Sequence, residues 1–200
     1  MFELLIATKN QGKVREISEL LADAPIVVRS LRDFAEIVEP EETGATFAEN
    51  AVLKARYYAA KTGLAALADD SGLEVAALNN APGVRSARYA GADATDAERI
   101  AKLLGELRSV PAENRRARFV CQMAIADPKG EIITTAEGVC DGRIAFSPTG
   151  ENGFGYDPIF VPEGFPQTFG ELAAEIKQKI SHRARATSKI VAFLRGFIVV

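Results

Sequence analysis

The sequence has no tryptophan, one histidine and only two cysteines. These shortages remove several kinds of chemistry at once. Cys121 and Cys140 are too few and too far apart to frame a disulfide-stapled fold or a zinc site. Cys121 lies in an apolar run, so buried free thiols are expected. His182 has no second histidine to join it in a His-based metal site. Positive charge is not in excess either: 24 Lys and Arg stand against 27 Asp and Glu, a formal net charge of −3. That balance gives no electrostatic case for wrapping a nucleic-acid polymer. No apolar run approaches transmembrane length. "FELLIA" at the start is too short for a signal-peptide core and has no basic flank. The closing "FIVV" is too short to anchor anything and is expected to pack onto the body. The expectation is a cytoplasmic protein with no membrane partner.

A Walker A loop is also missing. "TKNQGK" (8–13) has the Gly-Lys pair, but Val14 follows it and position 7 is alanine, so the phosphate-cradling motif is not formed. What does surround "TKNQGK" is a buried strand, "FELLIAT" (2–8), and a helix from about Lys13 to Ala22 with Val14, Ile17, Leu20 and Leu21 on one face. A strand–loop–helix junction brings backbone N–H groups and a positive dipole end together, which suits phosphate, and Lys13 adds a charge. A solvated first helical turn is the plainer alternative.

The chain is long enough for a sizeable core, as one domain or as two lobes sharing a sheet, and it contains no internal repeat. "TFAE" is a capping box, Thr46 with Glu49, that opens a second helix ending at Gly63. A short strand over 64–69 follows. "TDAE" (95–98) opens another helix with Ile100, Leu103, Leu104 and Leu107 inward. "RARFVCQMAIAD", "DPKG" and "EIITTAEGVC" read as strand, hairpin turn and returning strand. The glycine-rich "SPTGENGFGYDP" (147–158) is irregular and precedes a short strand, "IFV". "TFGE" (168–171) is expected to cap a helix broken near "SHR", with Ser181 capping a last helix that carries Ile190, Phe193 and Leu194. Together these imply an α/β protein with a mixed sheet.

Besides "TKNQGK", four stretches can carry chemistry. In "ALADDSGLEV", Asp69 and Asp70 follow an apolar run; Asp-Asp-Ser-Gly is ordinary turn chemistry. While the strand persists, however, the two acids point to opposite faces, so one faces a given pocket and the other supports it. Periodicity does not say which. "EPEETG" (39–44) places Glu41 and Glu42 before a helix start, where they favour the dipole. If Glu42 faces Asp70, the pair makes an oxygen site for Mg²⁺, which takes one or two carboxylates with substrate phosphates and water. "GENGFGYD" offers flexible backbone and, in Phe154 and Tyr156, flat faces for a base; a flexible loop with its aromatics packed on the core is the plainer reading of this stretch alone. In "KQKISHRARA", Lys177 precedes His182 and Arg183, which stand at a helix start where Arg183 can present its fork to oxygen acceptors. Basic residues for a polyanion and acids for its metal are what a nucleoside triphosphate with Mg²⁺ requires.

Six ordered blocks, "IATKNQGKVREI", "EETGATFAENAVLKA", "ADDSGLEV", "GVRSARYAG", "GFGYDPIF" and "SHRARA", resemble the inosine/xanthosine triphosphate pyrophosphatase family over nearly the whole chain. The resemblance implies a single pyrophosphatase domain over 1–200, an elongated mixed sheet flanked by helices, with two lobes, a cleft between them and a homodimer. It implies Mg²⁺-dependent hydrolysis of non-canonical purine nucleoside triphosphates (ITP, dITP, XTP) to the monophosphate and pyrophosphate. By the same resemblance, Asp70 is the catalytic proton acceptor and, with Glu42, the metal ligand; Asp69 supports it. Thr8, Lys9, Asn10, Gln11, Gly12, Lys13 and Lys54 match phosphate-binding positions, and Ser71 sits beside the acids. Phe154, Gly155, Tyr156 and Asp157 match the purine-stacking segment, and Lys177, His182 and Arg183 match phosphate- and base-recognition positions. Lys9 departs from the small residue frequent there in relatives and adds positive charge. A catalytically silent nucleotide sensor is the alternative of a different class.

Overall fold

In the computed structural model, which describes residues 2–22, 24–35 and 37–198, strand β1 (Phe2–Ile6) has Leu4, Leu5 and Ile6 wholly out of solvent. An unbroken apolar strand of this kind must be covered on both faces. It lies inside a six-stranded sheet of order β2-β1-β3-β4-β5-β6 among the described residues. The other strands are β2 (Ile26–Ser30), β3 (Ala65–Val75), β4 (Arg116–Ala126), β5 (Ile132–Ile144) and β6 (Phe160–Pro162). β1 pairs parallel with β2 and β3, while β5 and β6 are antiparallel, so the sheet is mixed and the α/β class expected from the sequence holds. The helices are α1 (Gln11–Leu21), α2 (Phe47–Thr62), α3 (Asp96–Glu106), α4 (Ala174–Ile180) and α5 (His182–Ile198).

The chain divides into two compact units. Unit 1 comprises Met1–Asp70, Cys121–Gly138 and His182–Val200; unit 2 comprises Ser71–Val120 and Val139–Ser181. In unit 1 one sheet face carries Leu4, Ile6, Leu67, Met123 and Ile125 against Ile17 and Leu21 of α1 and Ile190 and Leu194 of α5. The other face carries Ala66, Ala68, Ala124 and Ala126 against Ala51, Ala55 and Ala59 of α2. Alanine against alanine adds little burial per residue, but it lets the helix lie close to the sheet, which matters for the polar residues further along the same face. In unit 2 the core is built on Leu73, Val75, Leu103 and Leu107 with the rings of Phe119, Phe160 and Phe169. The Phe119 and Phe160 centroids are 4.5 Å apart and those of Phe160 and Phe169 5.4 Å. Both cysteines are free and buried, as expected, one in each unit.

Local signals acted where expected. Thr46 and Glu49 form both bonds of the capping box, and Gly63 closes α2 in the left-handed region at φ 70°, where a Cβ would be strained. Thr95 and Glu98 do the same for α3. The Asp127–Gly130 turn joins β4 and β5, with the Asp127 side chain accepting from the N–H groups of Lys129 and Glu131 at 2.9 Å each.

Several expectations are corrected. The strand expected over 64–69 runs on to Val75, so Asp69-Asp70-Ser71-Gly72 is extended backbone and not a turn. Burial explains it: Leu73 and Val75 beyond the acids are both fully buried in the unit 2 core, which turn propensity cannot outweigh. No helix starts at "TFGE". Thr168 and Glu171 bond each other in a single turn, but Gly170 donates to Asp157 O and accepts from Asn152 N, so its backbone is engaged elsewhere and α4 begins only at Ala174. Helix α1 starts at Gln11, not Lys13, and β2 and the short 3₁₀ turn after it (Leu31–Asp33) had no counterpart in the sequence reading. The last two residues of "FIVV" lie outside the described residues.

Candidate active site

The period of β3 decides what each acid meets. Ala65 and Leu67 belong to the α1/α5 face and Ala66 and Ala68 to the α2 face, so Asp69 continues the first series and Asp70 the second. Both lie just beyond the end of β1, whose last pairing contact is Ala7 N donating to Leu67 O at 2.8 Å. Sites in parallel α/β sheets form at this place, past the carboxyl ends of the strands.

On the α1/α5 face, Asp69 Oδ2 receives the Lys13 ammonium at 2.9 Å and Arg183 Nη2 at 3.3 Å. Arg183 Nη1 reaches Glu16 Oε2 at 2.5 Å. The Asp69 side chain has no solvent exposure and that of Arg183 2 %. Burial alone would push the Asp69 pKa up, but Lys13 and Arg183 outweigh it and hold the carboxyl well below the usual aspartate range. Arg183 is held firmly cationic against its burial by Asp69 and Glu16. Its fork is therefore engaged by two carboxylates inside unit 1.

On the α2 face, Asp70 Oδ1 receives Lys54 Nζ at 2.9 Å and Oδ2 receives Asn50 Nδ2 at 3.2 Å. Asn50 and Lys54 stand one helical turn apart and so share a face of α2. The same Lys54 ammonium also donates to Glu42 Oε1 at 2.8 Å, so one cation gathers two carboxylates. Asp70 is shifted up: burial is the main cause and Glu42 adds to it, with Lys54 opposing. Lys54 is held protonated against its burial by Asp70, Asp69 and Glu42. The approach to α2 is close. Gly44 N donates to Asn50 Oδ1 at 2.8 Å, and a Cβ on Gly44 would stand 2.6 Å from that oxygen, so a side chain there would displace the residue that orients Asp70.

The loop before α1 is internally braced. Thr8 Oγ1 accepts from Asn10 N at 3.2 Å, Gln11 Nε2 donates to Lys9 O at 3.0 Å, and Asn10 caps α1 by accepting Lys13 N at 3.1 Å. Gly12 lies within the first turn, whose N–H groups a helix cannot itself satisfy. Lys9 is exposed, and His182 is buried as the first residue of α5.

The remaining expected residues belong to unit 2. Ser71 is half-buried in β3. Lys177 is buried, with Nζ 2.6 Å from Asp157 Oδ2 and 4.7 Å from the centre of the Phe154 ring. Asp157 Oδ2 also accepts Phe154 N at 2.8 Å, and Gly155 N donates to Asp96 at 2.7 Å. Tyr156 is a core residue: it is 5 % exposed, its hydroxyl donates to Ser86 O at 3.0 Å, and burial pushes its pKa up. Of the two aromatic faces in this loop, Phe154 is the half-buried one. Sequence reading did not single out Asn50 or Glu16. Their spacings, four before Lys54 and three after Lys13 on helices, were the available signals.

Three kinds of comparison agree. The Ham1 family profile matches residues 4–193. A dITP/XTP pyrophosphatase of Geobacillus kaustophilus is 53% identical over 190 residues, covering 95% of this chain and 93% of that protein. One from Desulforamulus reducens is 51% identical over 197 residues, 98% of each. Among solved structures, a HAM1 protein from Coxiella burnetii superposes with a TM-score of 0.89 at 45% identity, covering 98% of this chain and 100% of that one. The Staphylococcus aureus Ham1 protein gives 0.86 at 42% identity, with 98% and 99% covered.

Proposed function

The chain belongs to the Ham1 family, and on that premise we propose that it hydrolyses ITP, dITP and XTP to the monophosphate and pyrophosphate with Mg²⁺. The observation that carries this reading is the division of labour on β3, which gives one acid to a cationic anchor and the other to a two-carboxylate cluster. That cluster suits a hard divalent cation. Asp70 and Glu42 bring carboxylate oxygens to one point, and Mg²⁺ commonly takes one or two such ligands and completes its shell with substrate phosphates and water. Bound there, Mg²⁺ supplies charge neutralisation and a more acidic attacking water.

The protein's own groups do the rest. Asp70, aimed by Asn50, accepts the water's proton as the bond between the α- and β-phosphates breaks. Lys13 and Lys54 screen phosphate charge in the transition state, and the Thr8–Gly12 loop offers first-turn N–H groups to the same oxygens. Asp69 fixes Lys13; Arg183, held by Asp69 and Glu16, positions that pair. In unit 2 the Phe154 ring offers a flat face of the kind a purine stacks on, with the Lys177 ammonium beside it. A donor aimed at position 6 of the base, for which His182 is the candidate in unit 1, meets an oxygen in inosine and xanthosine but an amino group in adenosine. An unpaired buried donor costs about 1–3 kcal/mol, roughly tenfold to a hundredfold in discrimination.

On this reading residues 1–200 act as one pyrophosphatase domain in the cytoplasm, with a second copy of the chain as partner. The test is product analysis with ITP, XTP, GTP and ATP, with and without Mg²⁺. Pyrophosphate from ITP and XTP, little turnover of ATP and none without metal is the expected result. Orthophosphate from all four would overturn both the cleavage site and the base selectivity, and binding without product would make the chain a sensor.

A further inference from the structure

The Lys54 ammonium stands where a cation shared by Glu42 and Asp70 would stand. It is 2.8 Å from one carboxylate and 2.9 Å from the other, and its side chain is only 12% exposed. The position is built: Lys54 projects from the alanine-lined face of α2 that lies close to the sheet, and Asn50, one turn earlier, holds the other oxygen of Asp70. A divalent cation on the same two carboxylates would lie within a few ångström of this ammonium. Like charges so close repel strongly even at the effective dielectric of a protein site.

We propose that Lys54 is the resident counter-ion of the Glu42–Asp70 pair in the nucleotide-free protein, that a divalent cation competes with it for those oxygens, and that an incoming triphosphate relieves the competition by giving the ammonium phosphate oxygens to hold. This rests on Glu42 and Asp70 being the metal ligands. Metal and nucleotide then bind with positive coupling, and the coupling is reciprocal: whatever the triphosphate gains from the metal, the metal gains from the triphosphate. The lysine therefore has two successive partners. Before substrate arrives it keeps two partly buried carboxylates from facing each other uncompensated; afterwards it screens the leaving phosphates. A free divalent ion is thereby kept from settling in the site without its nucleotide.

The experiment is direct binding of Mn²⁺, as a paramagnetic substitute for Mg²⁺, to the full chain, followed by electron paramagnetic resonance with no turnover involved. The proteins are the wild type, Lys54→Met, Glu42→Gln and the double variant, each checked for folding by thermal melting. Lys54→Met is expected to bind Mn²⁺ alone on the order of tenfold more tightly than the wild type, the gain expected from removing one close like charge. Adding Glu42→Gln should cancel the gain. The α,β-methylene analogue of ITP should tighten Mn²⁺ binding more in the wild type than in Lys54→Met, because only the wild type has an ammonium to relocate. Lys54→Gln, uncharged but able to donate a hydrogen bond, should behave like Lys54→Met and serves if the methionine variant folds poorly. If removing the lysine charge leaves Mn²⁺ affinity equal or weaker while Glu42→Gln still lowers it, the competition is refuted and the metal ligands stand. If Glu42→Gln changes nothing in either background, both the competition and the ligand assignment fall.

Discussion

Asp69 and Asp70 are the same side chain on consecutive residues of one strand, yet their surroundings drive them in opposite directions. Asp69 is sealed from solvent between two cations, and its carboxyl is held well below the ordinary range. Asp70 shares one ammonium with Glu42, and burial lifts it above that range. The first arrangement compensates a buried charge fully, as a structural ion pair must. The second leaves net negative charge and a basic carboxylate, which is a cost to the folded chain and a use to a metal and a water. The strand's period of two is what separates an anchor from a reactive group over a single peptide bond.

The largest effect that tests this contrast is on turnover. Asp70→Asn should lower kcat about 10³–10⁴-fold, the scale of losing a positioned proton acceptor together with a metal ligand. Its melting temperature in EDTA should stay level or rise. An acid whose folded-state pKa is raised is less stable ionised in the folded chain than in the unfolded one, so replacing it costs the fold nothing at neutral pH, and Glu42 keeps Lys54 compensated. Asp69→Asn should do the reverse. Removing the carboxylate that faces Lys13 and the buried Arg183 should cost about 3 kcal/mol, the lower end for a broken buried pair because Glu16 remains. For a chain of this size that is a fall of roughly 6–12 °C in melting temperature. Equal loss of stability in the two variants would erase the distinction between the faces.

Some of this contrast is legible in the sequence. Opposite faces for Asp69 and Asp70 follow from strand geometry alone, and the Thr46–Glu49 box and Gly63 were readable because caps depend on a few adjacent residues. What could not be read was set by distant partners. Asp-Asp-Ser-Gly carries turn chemistry, and it is extended because Leu73 and Val75 are buried beyond it. Arg183 at a helix start offers its fork to oxygen acceptors, but which carboxylates it meets depends on how α5 packs beside α1 in unit 1. Tyr156 looked as available as Phe154 until the Ser86 carbonyl was found on its hydroxyl.

A smaller effect sharpens the comparison along the pH axis, by urea unfolding of the metal-free chain in EDTA. The Asp69 contribution is complete above the ordinary aspartate value of 3.8 and is lost as pH falls below it toward the depressed folded value. Asp70 carries the opposite sign: ionising it costs stability as pH rises from 3.8 through its raised folded value. Asp69→Asn should therefore flatten the loss below 3.8, and Asp70→Asn the decline above it. Identical changes of slope in both variants would mean that the two carboxyls share one environment.

The finest test concerns Glu16, which accepts from Arg183 Nη1 on the α1/α5 face. Glu16→Gln keeps an oxygen acceptor for Arg183 Nη1 but removes the charge. A hydrogen bond to a charged partner contributes about 1.5–3 kcal/mol and a neutral one about 0.5–1.5, so the exchange should cost about 1 kcal/mol, or roughly 2–4 °C. If the α1/α5 face is an anchor, kcat/KM for the triphosphate should fall modestly and in step with the loss of stability, because a loosened Arg183 holds Asp69 less firmly and Asp69 is what aims Lys13. Glu16→Asp, with the charge kept on a shorter stem, should recover part of the stability. A fall in kcat with unchanged stability would place Glu16 in the chemistry, and the two faces of β3 would no longer divide anchoring from reaction.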